Sequence, residues 1–401
     1  MRKNYFAKLM NYMKNVYNID RLFNKLEDGR VNPRFKTGLT IMPLLLGLLL
    51  RISSMNELKF MIKEREFSKA FPRGKALPQI DTIRDTLKVI SINGLKVILR
   101  DIVSTAIRNI TFANGTIDGY TVAAIDGTKF FGSNKKSCPE CLTSKEHHYH
   151  SGVVMSTIGD KPRLVLGFEM MRHDQDSTNK DEGELTAAKR LIADISSSYP
   201  KFIDVVVYDA LACNSQWINH CLDLEMDFIV RAKKNNNNSI KNIKKIVHKM
   251  KPGVVWGRDK EFERIRVTES TFMMDNVDCP LRFVKFAIKR LNGRYNQILI
   301  VTSCMNIPLE TLFKMIRGRW DIENSIFNNL KTECGLEHCF VHGGHAVEAV
   351  LYLIFIAANI MQLFLIRRLK IKRRTQKEIT RLLLKGLYQL KYHKELVFST
   401  A

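Results

Sequence analysis

Two aspartates that follow apolar, strand-forming segments are the residues best placed to do chemistry. Asp126 ends the run VAAID, and Asp209 ends the run FIDVVVYD. A carboxylate at the end of a buried strand is costly unless it is paired or binds a metal. Taken singly, each Asp fits equally well as a turn or helix-capping residue. If both strands belong to one sheet, the carboxylates lie close together, and a divalent cation such as Mg²⁺ or Mn²⁺ relieves their repulsion.

A third acid lies in the segment IRGRWDIENSIFNNLK, residues 316–331. On a helix, Ile316, Arg319 and Glu323 are at positions i, i+3 and i+7, which share one face. Arg319 would then bind a phosphate or orient the Glu323 carboxylate. The same spacing fits an ordinary surface ion pair, so the pattern alone leaves both interpretations open.

The charge balance predicts a polyanionic partner. The chain has 64 Lys and Arg against 40 Asp and Glu, a net charge of +24, which exceeds what solubility requires. Lys233 and Lys234, and the basic stretch 367–374, would neutralise phosphates without reading a base sequence. A membrane surface and a merely basic exterior are the alternatives.

Two apolar stretches bear on the membrane alternative. Residues 39–50 are too few to span a bilayer, and residues 349–366 contain Asn359 and Gln362, whose amides are costly in lipid. Both stretches are therefore predicted to be buried helices, and no membrane partner is expected. The N-terminus has no apolar run typical of a signal peptide. Eight cysteines in 401 residues suit a reducing, bacterial-type cytoplasm.

Cysteine and histidine residues form two groups. Cys138 and Cys141 have C-x₂-C spacing and precede His147 and His150, which predicts either a structural Zn²⁺ site in a hairpin or two free thiols. A second group of potential ligands follows the segment of Glu323: His338, Cys339, His342 and His345. Gly343-Gly344 argues against one helical face there, so this group predicts a metal site only if it completes the first one.

The elements that must position these residues change along the chain. Residues 1–115 have helical periodicity, and the following segment has the order strand, strand, strand, helix, strand, helix, strand. This order predicts an α/β fold with a mixed sheet flanked by helices. Four units are expected: a helical N-terminal domain that binds DNA, 1–115; the first part of a catalytic core, 116–232; a β-rich insertion, 233–305; and the second part of the core with basic C-terminal helices, 306–401.

The strand order and the segment IRGRWDIENSIFNNLKTECGLEHCFVH resemble DDE transposases. The similarity is to insertion-sequence transposases with a Tyr-Arg-Glu-Lys signature, a ribonuclease H-like catalytic domain and a β-rich insertion, and it covers roughly residues 115–366. It implies that Asp126, Asp209 and Glu323 hold two Mg²⁺ or Mn²⁺ ions and that Arg319 contacts DNA near the cleaved end. Two signature positions differ. Ile316 stands in place of the tyrosine, and Lys331 lies one residue further from Glu323 than the signature lysine.

The resemblance implies cleavage at transposon ends and strand transfer into target DNA. The expected partners are double-stranded DNA, as terminal inverted repeats and as target, and a second copy of the chain when assembled on DNA. The expected location is the nucleoid of a prokaryotic cytoplasm. A catalytically silent DNA-binding protein derived from a transposase and a metal-dependent DNA nuclease are the alternatives.

Overall fold

The computed structural model describes residues 4–74, 76–173, 182–233, 237–369 and 375–391. Its α-helices, in chain order, are α1 Tyr5–Tyr17, α2 Ile19–Asn24, α3 Thr37–Leu49, α4 Met55–Lys63, α5 Arg65–Ser68, α6 Ile80–Val89, α7 Ile92–Arg108, α8 Glu184–Ser198, α9 Ser215–Asp223, α10 Asn238–Lys249, α11 Leu309–Gly318, α12 Asn328–Cys334, α13 Gly344–Phe364 and α14 Gln376–Tyr388. Its strands are β1 Val122–Ser133, β2 Leu142–Ser144, β3 His147–Thr157, β4 Val165–Met170, β5 Val205–Tyr208, β6 Asp227–Arg231, β7 Val254–Trp256, β8 Phe262–Phe272, β9 Leu281–Arg290 and β10 Tyr295–Thr302.

The strands form one mixed sheet in the order β2-β3-β1-β5-β6-β10-β9-β8-β7, with β4 also paired to β3. Strand β1 is antiparallel to β3 and parallel to β5, and β5 is parallel to β6. The order β4-β3-β1-β5-β6 is that of the ribonuclease H-like fold. Apolar side chains on the two faces of this sheet belong to two separate cores. The predicted α/β class, with a mixed sheet flanked by helices, is confirmed.

The strands of the region 233–305 continue the central sheet and do not form a sheet of their own. Strand β10 pairs antiparallel with β6 along Ile300↔Arg231, and β9, β8 and β7 follow outward. The region also contains α10, which the sequence analysis did not predict. The Asn237 side chain caps this helix, and Ile240, Ile243 and Val247 are its buried face. Residues 234–236, including Lys234, lie outside the described residues.

Helix α13 is the central helix of the molecule. With the residues after it, it is long and apolar enough to cross a membrane, yet 83% of its most apolar window is buried inside the protein. The Asn359 amide accepts from Val165 N at 2.9 Å and donates to Val165 O at 2.8 Å. The Gln362 amide donates to Arg163 O at 3.0 Å. The prediction of a buried helix over 349–366 is therefore confirmed, and its two amides hydrogen-bond the backbone at and just before β4.

The N-terminal helices pack directly against α13. Helices α3, α6 and α7 all contact it, and α3 is buried along nearly its whole length. The predicted helical character of the first 115 residues is seen in α1 to α7. Because these helices share α13 with the sheet, their apolar core is continuous with one of the sheet's two cores.

Candidate active site

Asp126 and Asp209 lie on neighbouring parallel strands. The β1–β5 register pairs Ala124 with Val207, so its continuation by two residues places Asp126 level with Asp209. Asp126 lies inside β1 and not at its end. Strand β5 ends at Tyr208, so β1 has no β5 partner from Asp126 onward. Asp209 turns the chain into a short 3₁₀ helix, and its carboxylate accepts a hydrogen bond from Leu211 N at 2.8 Å. Asp209 therefore caps a turn, and it also lies on the strand next to that of Asp126.

Arg319 connects the glutamate helix to Asp126. Its Nη2 is 2.7 Å from Glu323 Oε1, and its Nη1 is 3.6 Å from Asp126 Oδ2. The Arg319 side chain is only 7% exposed, which is unlike an ordinary surface ion pair. The same segment is fixed by Asp321, whose carboxylate lies 2.9 Å from an Arg163 Nη2 and accepts from Gly159 N. Arg319 therefore bridges two of the three predicted acids.

The three predicted carboxylates lie near one another, but their oxygens are not all within 4.8 Å of one another. Within the described ranges, only a cysteine–histidine group has three or more ligand atoms all within 4.8 Å of one another. Asp126 nevertheless interacts electrostatically with both Glu323 and Asp209. The Arg319 guanidinium contacts both Asp126 and Glu323.

Glu184, the first residue of α8, is a fourth acid at this site. Tyr208 OH donates to Glu184 Oε1 at 2.7 Å. A Cβ on Gly127 would lie 2.3 Å from Glu184 Oε2, so glycine after Asp126 is what allows this carboxylate to approach. Sequence reasoning missed Glu184 because an acid in the first turn of a helix is common. Gly127 after Asp126 was the one available signal.

Burial and the neighbouring acids raise the proton affinity of Asp126. Burial raises the pKa of Asp126 to about 7; Arg319 opposes this rise, and Glu323, Glu184 and Asp209 add to it. Burial is also the main cause of the raised pKa of Glu184. Two arginines, Arg319 and Arg231, lie near these four acids. The negative charge is therefore only partly compensated, which favours a bound divalent cation.

The glutamate lies on an irregular stretch of helix. Residues Ile322–Phe327 are π-helical, and a π turn takes up one residue more than an α turn. Lys331 is one residue further from Glu323 than the signature spacing, and most of the π segment lies between the two residues. The Lys331 ammonium is 2.7 Å from Glu337 on the protein surface. Ile316, at the signature's tyrosine position, is buried and presents no hydroxyl.

A basic cleft opens beside Glu323. It has a volume of about 570 Å³, and its lining includes Arg231, Arg290 and Arg317. Burial lowers the pKa of Arg231, and the nearby positive charge of Arg319 lowers it further. Lys233, which is exposed, follows β6 two residues after Arg231. Sequence reasoning missed Arg231 because it lies inside a strand with no distinguishing motif.

The predicted cysteine–histidine ligands are only partly brought together. Cys138, Cys141 and His150 meet, and the fourth ligand atom comes from His342. His147 is elsewhere: its Nδ1 is 2.6 Å from Asn134 Oδ1, and its ring stacks on Tyr149. The physical reason is strand alternation, because residues 147 and 150 of β3 are three apart and point to opposite faces.

The rest of the second group is also dispersed. His338 packs edge-on against Phe340, Cys339 Sγ contacts Val341 O, and His345 Nε2 is 2.7 Å from Ile90 O. Only His342 of these four completes the first site.

Comparison with known proteins identifies the family of the chain. Residues 118–360 match the family described as "Transposase DDE domain", which is more than half of the chain, and the chain belongs to that family. No curated protein sequence matches it. Among solved structures, it is similar to the piggyBac transposase in a cryo-EM synaptic complex with hairpin DNA, with 12% sequence identity and a TM-score of 0.48. That match covers 97% of this chain and 80% of the other.

Proposed function

We propose that this transposase-family chain is an active DNA transposase that cleaves transposon ends and joins them to target DNA. The observation that carries the proposal is the convergence of Asp126, Asp209 and Glu323 from three distant segments. Asp126 interacts electrostatically with both other acids, and Arg319 contacts both Asp126 and Glu323. Carboxylates that converge in this way, in a chain of this family, fit phosphodiester chemistry better than a DNA-binding role alone.

The three acids fit a pair of Mg²⁺ or Mn²⁺ ions. They offer hard oxygen donors, and burial, together with the negative charges of Glu323, Glu184 and Asp209, raises the pKa of Asp126 to about 7. When bound, such ions activate water or a 3′-hydroxyl and stabilise the leaving oxygen. The protein's own groups hold the ligands in place. Leu211 N–H fixes the Asp209 carboxylate, and Arg319 orients Glu323.

The basic cleft is the proposed path for double-stranded DNA at the transposon end. Arg319, Lys331 and Lys233 would contact phosphates, and Lys234 is proposed on sequence grounds alone.

We keep the four units 1–115, 116–232, 233–305 and 306–401 as functional divisions, with the first contributing DNA binding. Pairing of two ends implies a homodimer on DNA. A prokaryotic, nucleoid-associated location is part of the same proposal.

The test is an end-joining assay with the full chain. Labelled duplexes carrying the DNA that flanks the coding region are incubated with Mg²⁺ or Mn²⁺ and a supercoiled target plasmid. The expected products are cut ends with free 3′-hydroxyls and ends joined to plasmid. Cleavage without joined products would indicate a nuclease, and binding without cleavage would indicate a silent DNA-binding protein. Either result would overturn the proposal.

Cation binding is expected to weaken as the pH falls below about 7, where Asp126 takes up its proton. The proton competes with the cation, so Mn²⁺ affinity should fall up to about tenfold per pH unit below that pKa.

The raised pKa of Asp126 also means that the folded state holds this proton more tightly than the unfolded chain. Without cations, the free energy of unfolding should therefore fall as the pH rises toward and through 7.

Mn²⁺ titrations at pH 6, 7 and 8, followed by calorimetry or by the shift in Tm, measure both effects. For the stability effect, Asp126→Asn without cations is the control, because it removes the titrating group and should remove this part of the pH dependence of Tm. Equal Mn²⁺ affinity of the wild type at pH 6 and pH 8 would contradict the prediction.

Glu184→Gln is expected to shift the pH dependence of Mn²⁺ binding downward by about half a unit, because it removes one negative charge beside Asp126. Glutamine still accepts the Tyr208 hydrogen bond, so the fold should be retained. The matched control is Glu182→Gln, two residues earlier, which pairs with Arg190 and should cause no shift. A loss of affinity with an unchanged pH profile would instead make Glu184 a direct ligand.

A further inference from the structure

A compact group of sulfur and nitrogen ligands lies apart from the carboxylates. We name it the cysteine–histidine cluster; its members are Cys138, Cys141, His150 and His342. The cysteines are in the loop between β1 and β2, one histidine is on β3, and the other is in the connection between α12 and α13. One potential ligand atom from each residue lies within 4.8 Å of all the others.

The spacing of these atoms is that of a tetrahedral metal site. Cys141 Sγ is 3.5 Å from Cys138 Sγ and 3.5 Å from His150 Nε2. The Cys138 Sγ to His150 Nε2 distance is 3.3 Å, and the Cys141 Sγ to His342 Nε2 distance is 3.6 Å. Around a tetrahedral zinc with Zn–S of about 2.3 Å and Zn–N of about 2.1 Å, S–S edges are about 3.8 Å and S–N edges about 3.6 Å. The S–S edge of 3.5 Å and the S–N edges of 3.3–3.6 Å lie within about 0.3 Å of these values.

We propose that the cysteine–histidine cluster binds one structural Zn²⁺ through two thiolates and two imidazole Nε2 atoms. Loading releases the two thiol protons, and the resulting set of two thiolates, two neutral imidazoles and Zn²⁺ has no net charge, which suits its burial. Thiolates disfavour hard cations such as Mg²⁺. A disulfide is a different arrangement, since it requires an S–S distance of about 2.05 Å.

The local fold presents the ligands to one point. Cys141 N donates to Cys138 O at 3.0 Å, which closes the turn that brings the two sulfurs to the same side. His150 is buried in β3, and the His342 ring packs edge-on against Phe131 of β1. Glu140, between the cysteines, accepts from Gly344 N at 3.4 Å, so the same loop also contacts the first turn of α13.

The site would join segments that flank the catalytic acids. Cys138 and Cys141 follow β1, the strand of Asp126, and His342 follows the helix of Glu323. A metal held by both sides ties the far end of β1 to the connection after α12. Zinc therefore has a structural role here: it fixes the two segments relative to each other without contacting DNA.

The test is the metal content of the full chain purified without chelators. We expect about one zinc per chain by mass spectrometry, and a Co²⁺-substituted sample should show the strong visible bands of tetrahedral thiolate ligation. Removal of zinc with a chelator should lower Tm by roughly 5 °C or more, because the metal's binding free energy is part of the stability of the folded state.

Matched variants identify the ligands. Cys141→Ser and His342→Ala should each lose most of the zinc, whereas His147→Ala and Cys339→Ser, which change neighbours outside the cluster, should keep about one per chain. His342 is only half-buried, so its variant should fold even if the Cys141 variant does not. A wild type without zinc, or zinc retained in a folded His342→Ala variant, would overturn the proposal. These readouts do not involve DNA and are independent of the transposase activity.

Discussion

Asp209→Asn is expected to lower the rate of end cleavage by at least about 10³-fold while leaving DNA binding nearly unchanged. Loss of a carboxylate ligand removes several kcal/mol of metal-dependent stabilisation of the transition state, and each 1.4 kcal/mol corresponds to about a tenfold change in rate. Asparagine has almost the same shape, and its side-chain oxygen still accepts from Leu211 N. The variant should therefore fold normally. Single-turnover cleavage with Mg²⁺, together with a DNA-binding titration, measures both quantities.

The matched control is Asp223→Asn, an exposed aspartate at the end of α9, which should cleave at the wild-type rate. Asp209→Cys adds a test of the metal's role, because Mn²⁺ tolerates a sulfur ligand better than Mg²⁺ does. Activity regained only with Mn²⁺ would show direct ligation. Wild-type cleavage by the asparagine variant would end the assignment of Asp209 to the catalytic set.

Arg319→Ala is expected to reduce cleavage by about 10²-fold or more. The side chain is nearly buried and contacts both Asp126 and Glu323. Its removal leaves these acids uncompensated and removes donors for the phosphate, and loss of one such preorganised contact typically costs 10²- to 10³-fold in rate. Arg319→Lys keeps the charge but loses the forked contact, so we expect an intermediate rate. Single-turnover rates with saturating DNA measure this effect on the chemical step.

Arg317→Ala is the control for general loss of positive charge in the basic cleft. Arg317 is partly exposed and pairs with Glu261 at 2.5 Å. Its loss should raise the KM for DNA and change kcat little. If Arg319→Ala changed only KM in the same way, Arg319 would be a phosphate-binding residue without a part in organising the acids. The Tm of each variant separates these outcomes from misfolding.

Much of the catalytic core could be predicted because its strands are buried on both faces. Segments such as Val205–Tyr208 are continuous apolar, β-branched runs, and the predicted succession of strands and helices is found, with the short strand β2 in addition. Helix α10 was missed because an asparagine run precedes it and lysines fill its exposed face. Its buried residues, Ile240, Ile243 and Val247, do have helical spacing.

The side chains that complete each site from a distance could not be predicted. Local patterns identify Asp126 and Cys141, but they do not specify which remote residue arrives beside them. Cys141 and His342 are 201 positions apart, and Glu184 reaches Gly127 only because α8 packs on the sheet. Only the folded topology specifies such pairings. The choice between His147 and His150 was different, because strand alternation alone distinguishes them once β3 is recognised.

The burial of α13 means that the N-terminal helices cannot be separated from the rest of the polypeptide. A product that began at residue 116 would expose the apolar flank that α3, α6 and α7 normally cover, and this helix has the length and composition to enter a lipid bilayer. Such a truncated product would aggregate or associate with membranes. A gene copy that lost its first third would therefore encode an insoluble chain, and recombinant work on the transposase-family domain must keep the leading helices.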